Sequence, residues 1–357
     1  MRFNTSASQL ASLAVLQLVV YAAMQVPVGL FLDRFGSRIM LSIGAIAMGL
    51  GQLLVSFAPN LQVAVLGRML VGLGDACTFI SMIRMVNNWL SGKAASRAQQ
   101  WMATLGQLGQ VASAIPFVWF LQRAGWSAAF GSLSAVGLLS ASIVWLFALD
   151  SPNQHSLKQV SLAEVFASLR KNVRESSTKM AFWTHFSTQS SGTMFALLWG
   201  VPFVTSGEGY SRTVASALLI LFVLTNASLG PVLGALAARS EKIRSRIIIC
   251  SPLFGMIAWV VVLAWPTQVP VWMLVGLVLI IGVGGPASML AFDYTRIYVK
   301  KSQLGVTNGY VNIGGFLASL LMMAAVGVLL DAINGGGGVS SLVCDHGIVA
   351  HPAHAVE

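Results

Sequence analysis

The sequence predicts an all-α, polytopic membrane protein made of two related helical bundles, and three observations predict it. Apolar runs of about 20 residues recur along most of the chain, the length a helix needs to cross a bilayer. Lys and Arg gather on one side of those runs, and the second half of the chain weakly repeats the first. The 357 residues are 56% hydrophobic and only 9% charged, which leaves little polar surface for a water-soluble fold. Alternating polar and apolar strands are absent, so an outer-membrane barrel is excluded.

Ten spans follow from the apolar runs: 9–32, 39–57, 61–83, 98–122, 127–149, 180–204, 213–237, 247–265, 270–292 and 303–330. With the turn after the first span placed in the cytoplasm, 17 of the 21 Lys and Arg fall inside. Arg2, Arg123 and Arg212 fall outside, and Arg68 lies within a span. This is a positive-inside pattern. The net charge of +10 therefore reports topology and contact with anionic lipid, since the aromatic interleaving that single-stranded nucleic acid needs is missing. Cys77, Cys250 and Cys344 are too few and too scattered for a disulfide framework. No cleavable signal peptide is apparent at Met1 to Ser6.

The first turn is the most informative stretch. Gly29-Leu-Phe-Leu-Asp33-Arg34-Phe-Gly36-Ser37-Arg38 closes one apolar run and opens the next. Gly29 removes a side chain one turn before Asp33, so another helix can approach there. Asp33 can then face the positive N-terminal end of that helix. The stretch resembles the loop motif of the major facilitator superfamily, Gly-x-x-x-Asp-Arg-x-Gly-Arg-Arg. Asp33, Arg34, Gly36 and Arg38 match, and Ser37 stands where the first Arg of the closing pair is usual. The resemblance implies a secondary transporter whose two bundles rock about a midplane site. It also implies that Asp33 docks on the start of the helix at Gly305 and stabilises the outward-facing state.

Ten spans with the Asp33 turn inside leave both ends outside, whereas one further helix on each side would bring both inside. The resemblance implies the same, because the motif normally follows a second helix. A twelve-helix parent lacking its first and twelfth helices is the expectation. The N-terminal bundle is then 1–149, the linker 150–179, the C-terminal bundle 180–331 and a Gly-rich tail 332–357. In the linker, Ser161 and Glu164 spell a capping box, and Leu162, Val165, Phe166, Leu169 and Val173 recur at helical spacing. An amphipathic helix on the cytoplasmic face is expected. Cys344, His346, His351 and His354 in the tail lack a rigid frame, so no metal site and no cofactor are expected.

The internal repeat pairs Pro27-Val28 with Pro231-Val232, Asp33-Arg34 with Ala238-Arg239, and Ser37-Arg38-Ile39 with Ser245-Arg246-Ile247. Gly72-x-Gly74 pairs likewise with Gly282-x-Gly284. Two halves related by an axis along the membrane normal are expected. Because Ala238 replaces the acid, the charged turn is expected to act in the first half only.

Ionisable groups inside spans are costly and point to function. Within the ten spans these are Arg68, Asp75 and His185. Arg68 and Asp75 are seven apart, on nearly one face and about 10 Å along the helix, so both are expected to line one cavity. Arg68-x-x-x-Gly72-x-Gly74 resembles the superfamily's fourth-helix motif, which implies a role in proton transfer or anion handling. His185 and Gln189 are one turn apart, and His can titrate near neutral pH. Gln107, Gln110, Asn226, Ser288 and Asn312 are further polar candidates for the pathway. Asp293 and Arg296 are spaced to pair on one helix face and form an inner gate. Ser302 is expected to cap the helix that follows, which packs closely through Gly305 and Gly309.

The expected function is proton- or ion-coupled uptake of a small organic anion across the plasma membrane by a monomer, with the anion inferred from Arg68. No phosphate-binding Gly-rich loop ending in Lys-Ser or Lys-Thr occurs, which argues against ATP drive. Clustered acids, histidines or nucleophiles that an enzyme needs are missing. A non-transporting sensor and an inactive fragment are the alternatives.

Overall fold

The computed structural model describes residues 7–114, 116–152 and 162–333, and among them there is helix and turn but no strand. The helices are α1 (Ala7–Phe35), α2 (Ser37–Phe57), α3 (Leu61–Trp89), α4 (Gly92–Ala114) and α5 (Pro116–Phe147). After the linker come α6 (Leu162–Asn172), α7 (Ser176–Met194), α8 (Arg212–Ala237) and α9 (Glu241–Leu263). The last two are α10 (Val271–Tyr298) and α11 (Leu304–Ile333). Ser161, the Arg2 end and the tail with Cys344, His346, His351 and His354 lie outside the described residues, as do the side chains of Gln110, Leu162, Val165 and Phe166.

Local chemistry sets the ends. Asn60 accepts from the Val63 amide at the start of α3, and Ser211 and Ser240 do the same for α8 and α9, each satisfying a donor that the first turn leaves open. Gly36 joins α1 to α2 through a single residue at φ 85°, a conformation that side chains with a Cβ disfavour. Gly125, at φ 77°, breaks α5, so its first turns continue α4 and the reversal falls between the expected spans 98–122 and 127–149. α7 runs on through two π-helical turns, Phe195–Trp199 and Phe203–Gly207. α10 is interrupted at Val283 and Leu290.

Among the described residues, eight helices are long and apolar enough to cross a membrane. The two expected spans that fall short are those of α4 and α7. Both carry Gln and Thr along a face that looks into a cavity, and this lowers their apolar content.

α1 to α5 pack as one bundle and α7 to α11 as another, joined mainly along α1 with α11 and α4 with α8. Small residues let α2 and α3 touch: a Cβ on Gly67 would stand 2.8 Å from the Gly51 carbonyl oxygen, and one on Gly74 would overlap that of Gly44. The first bundle buries Val28, Leu32 and Ile80, and the second buries Phe195, Phe222 and Leu274. A third core crosses between them, where Phe79 and Ile83 of α3 meet Met289 and Phe292 of α10. α6 rests on α1 and on the start of α11. There Asn172 donates to Gln303 and Thr307, each at 3.1 Å.

Candidate functional site

The seam between the bundles is tightest at the Lys- and Arg-rich end. Asp33, 3% exposed, closes α1 there. The amides of Gly305 and Val306 donate to its two carboxylate oxygens at 2.8 Å each, so Asp33 caps α11 from another helix. Ser302, the expected cap, instead lies in the 3-10 turn Lys301–Gln303. The approach needs glycine, because a Cβ on Gly29 would stand 2.6 Å from the Val306 Cα. One turn on, a Cβ on Gly309 would stand 2.3 Å from the Gln25 carbonyl oxygen.

Arg84 completes this latch. It is 1% exposed, donates to Asp33 at 2.8 Å and also donates to the Leu32 carbonyl. Arg84 lies one residue past the expected end of the third span at residue 83, whereas α3 runs on to Trp89. The signal was a lone cation one residue beyond an apolar run, on the side where Asp33 needs a partner.

The rest of the motif braces the turn. Asp150 accepts from the Arg38 amide at 2.9 Å, and a Cβ on Gly36 would meet the same carboxylate. The Arg38 guanidinium donates to the Trp145 carbonyl and stacks 5.1 Å over that indole. Arg34 lies over the ring of Phe35.

The second half makes a carboxylate contact of its own, from α10 and not from the turn at Ala238, which carries no acid. Asp293 pairs with Arg296 at 2.6 Å, as their spacing suggested, and also accepts from the Ser96 hydroxyl at 3.1 Å. Arg296 donates to the Gly92 carbonyl at 3.2 Å. α4 occupies in the first half the place of α11 in the second. The carboxylate missing at Ala238 is therefore supplied to the start of α4 from α10.

On the other side of the seam lies a cavity of about 870 Å³ lined by both bundles. Asp75, Gln107, His185, Gln189, Asn226 and Asn312 all face it. Asp75 exposes its carboxylate to the cavity and has no hydrogen bond or ion pair among the described residues. The Oε1 atoms of Gln100 and Gln107 are acceptors without a donor. Ser288 donates to Gln189 at 2.8 Å, which leaves the Gln189 amide NH2 free to donate. His185 is held at both ring nitrogens: Nδ1 faces the Ser288 carbonyl at 3.3 Å and Nε2 faces Asn312 Oδ1 at 3.1 Å. Asn312 Nδ2 in turn donates to the Tyr21 hydroxyl at 2.9 Å.

Arg68 corrects the expectation that it shares this cavity with Asp75. Its guanidinium lies 5.6 Å from the centroid of the Phe130 ring on α5, and it is not among the residues that line the cavity. The seven-residue spacing aligns the two positions, but the long Arg side chain turns to an aromatic face that accepts a cation. No Lys or Arg lines the cavity among the described residues.

The family model described as Major Facilitator Superfamily matches residues 2–330. The probable sulfoacetate transporter SauU of Cupriavidus necator is 26% identical over 194 residues, 54% of this chain and 43% of that protein. The probable L-galactonate transporter of Escherichia coli K12 is 24% identical over 214 residues, 60% of this chain and 46% of that protein. The chain thus spans less than half the length of these two relatives. Among solved structures, the superfamily transporter FucP in the outward conformation superposes with a TM-score of 0.73 at 14% identity, over 96% of this chain and 88% of that one.

Proposed function

The chain belongs to the major facilitator superfamily, and we propose that it is a proton-coupled transporter of a small, hydroxyl-rich organic acid, working in the plasma membrane by alternating access. The observation that carries this reading is Asp75, a carboxylate open to a two-bundle cavity and without a counter-cation among the described residues. An anionic solute beside ionised Asp75 would be repelled by about 4 kcal/mol for charges 4 Å apart at an effective dielectric near 20. Protonating Asp75 removes that repulsion. Anion and proton then bind together, and linkage requires each to raise the affinity for the other.

The amides from both bundles suit the rest of such a solute. The free donor on Gln189 can bind a hydroxyl oxygen, and the buried, unpaired Oε1 atoms of Gln100 and Gln107 can accept a hydroxyl once their side chains turn into the cavity. The names of the relatives speak of sulfoacetate and galactonate, both organic acids, of which galactonate is hydroxyl-rich. The latched cytoplasmic seam corresponds to the outward-facing state.

The protein reconstituted in liposomes, with an imposed inward proton gradient and radiolabelled aldonate or sulfonate, tests this. Gradient-driven accumulation is expected. Asp75→Asn should lose accumulation while keeping solute exchange, because a permanently neutral side chain still admits the anion but carries no proton. Gradient-independent uptake, or accumulation retained in Asp75→Asn, would overturn the coupling.

A further inference from the structure

We propose that Tyr21, Asn312 and His185 form a proton-set switch across the two bundles, in which Asn312 is the positioning residue. The inference rests on the transport reading for its purpose but not for its chemistry. Tyr21 belongs to α1 in the first bundle, whereas His185 on α7 and Asn312 on α11 belong to the second. With the Ser288 carbonyl the three side chains run in series, carbonyl to imidazole to amide to phenol.

As arranged, both imidazole nitrogens face acceptors, the Ser288 carbonyl and Asn312 Oδ1. A neutral ring has only one N–H, so only the imidazolium satisfies both contacts. The neutral ring fits the same frame once the Asn312 amide turns over. Nδ1–H then donates to Ser288, Asn312 Nδ2 donates to Nε2, and the Tyr21 hydroxyl donates to Oδ1. Uptake of one proton from cavity water at Nε2 reverses the amide, and Tyr21 changes from donor to acceptor. Its own O–H is thereby released toward the cavity, where Asp75 stands.

The frame restricts the motion to this amide. His185 is wedged at Gly315, where an added Cβ would stand 2.6 Å from the ring Cδ2, and its ring meets the edge of Phe292 at 5.2 Å. The Tyr21 ring is seated on Phe316 at 4.5 Å. Tyr21 from α1 and Asp75 from α3 are the other titratable groups facing this cavity. α4, α8, α10 and α11 contribute none to its described lining, and Asp293 on α10 turns instead to Ser96 and Arg296. Because the relay joins α1 to α7 and α11, its two states differ in a contact between bundles.

The test uses the full chain in lipid nanodiscs with ¹⁵N-labelled histidine. His185→Gln identifies the His185 ring signals, and spin labels at the exposed positions Ser91 and Lys242 report the separation of the bundles. His185 is expected to change protonation state within the titrated range. The label distance should change with the same midpoint. Tyr21→Phe keeps the ring on Phe316 and should leave the imidazole titrating while abolishing the pH-linked distance change. Asn312→Leu should do the same. A His185 signal that stays constant across the range overturns the switch, as does a distance change preserved in Tyr21→Phe. Gradient-driven uptake that survives either result leaves the transport reading standing. An intact switch in a protein that accumulates nothing overturns transport alone.

Discussion

The Asp33 carboxylate serves a guanidinium and two backbone amides at once, and its substitutions are therefore unequal. Arg84→Ala leaves the carboxylate against the two amides at the positive end of α11, which still stabilise it. Asp33→Asn is worse, because its NH2 must face one of those N–H donors while buried Arg84 loses its hydrogen-bonded carboxylate. Removing one partner of a buried pair costs about 3–5 kcal/mol. That loss falls on the latched state. Spin-label distances across the cytoplasmic seam should therefore shift to the open population in Asp33→Asn and shift less in Arg84→Ala. Equal populations in the two variants would mean that the helix end contributes nothing. Asp33 and its docking on a helix start were legible because the motif is spelled in consecutive residues. Arg84 was not, since it pairs across 51 positions and sits just past an apolar run.

Element packing turns on where helices have no side chains. α1 and α11 meet through Gly29, Gly305 and Gly309, so the seam is backbone against backbone. Gly309→Leu is expected to force α11 away from Gln25 and leave the cytoplasmic end partly open. Increased alkylation by a membrane-impermeant thiol reagent of a cysteine placed at Thr307, fully buried in the closed state, would report it. An unchanged rate would show that the helices can slide past the added side chain. The sequence made this contact legible through the four-residue glycine spacing, and apolar length made most spans legible. α4 and α7 were read as spans, and among the described residues neither is apolar enough to pass for a membrane helix on composition. The direction of the Arg68 side chain was not legible, because spacing along a helix fixes a backbone face and not the path of a long flexible chain. The carboxylate supplied by Asp293 was hidden for a related reason. Alignment of the halves looks for the acid at Ala238, but the start of α4 accepts one from any neighbouring helix.

At the scale of the whole molecule, the two halves are held by two latches of like chemistry. Asp33 of the first half holds α11 of the second, and Asp293 of the second holds α4 of the first. Each bundle thus grips the other through a carboxylate near a helix start, and opening the cytoplasmic end must release both. The grips are unequal: the Asp33 pair is buried on both sides, whereas Arg296 keeps 16% of its side chain exposed. Water compensates part of the loss at a partly exposed pair, so Asp293→Asn should populate the open state less than Asp33→Asn does. The second latch also offers a lock. Ser96 Oγ and Asp293 Oδ2 are 3.1 Å apart across the seam, close enough for cysteines at both positions to be tested as a disulfide, with Cys77, Cys250 and Cys344 first replaced. If the bundles rock as bodies, oxidising Ser96→Cys/Asp293→Cys should stop solute uptake and reductant should restore it. The reduced protein keeps the Asp33 latch and should transport. Uptake that continues in the fully oxidised protein would mean that solute passes without opening this seam, and alternating access about it would be wrong.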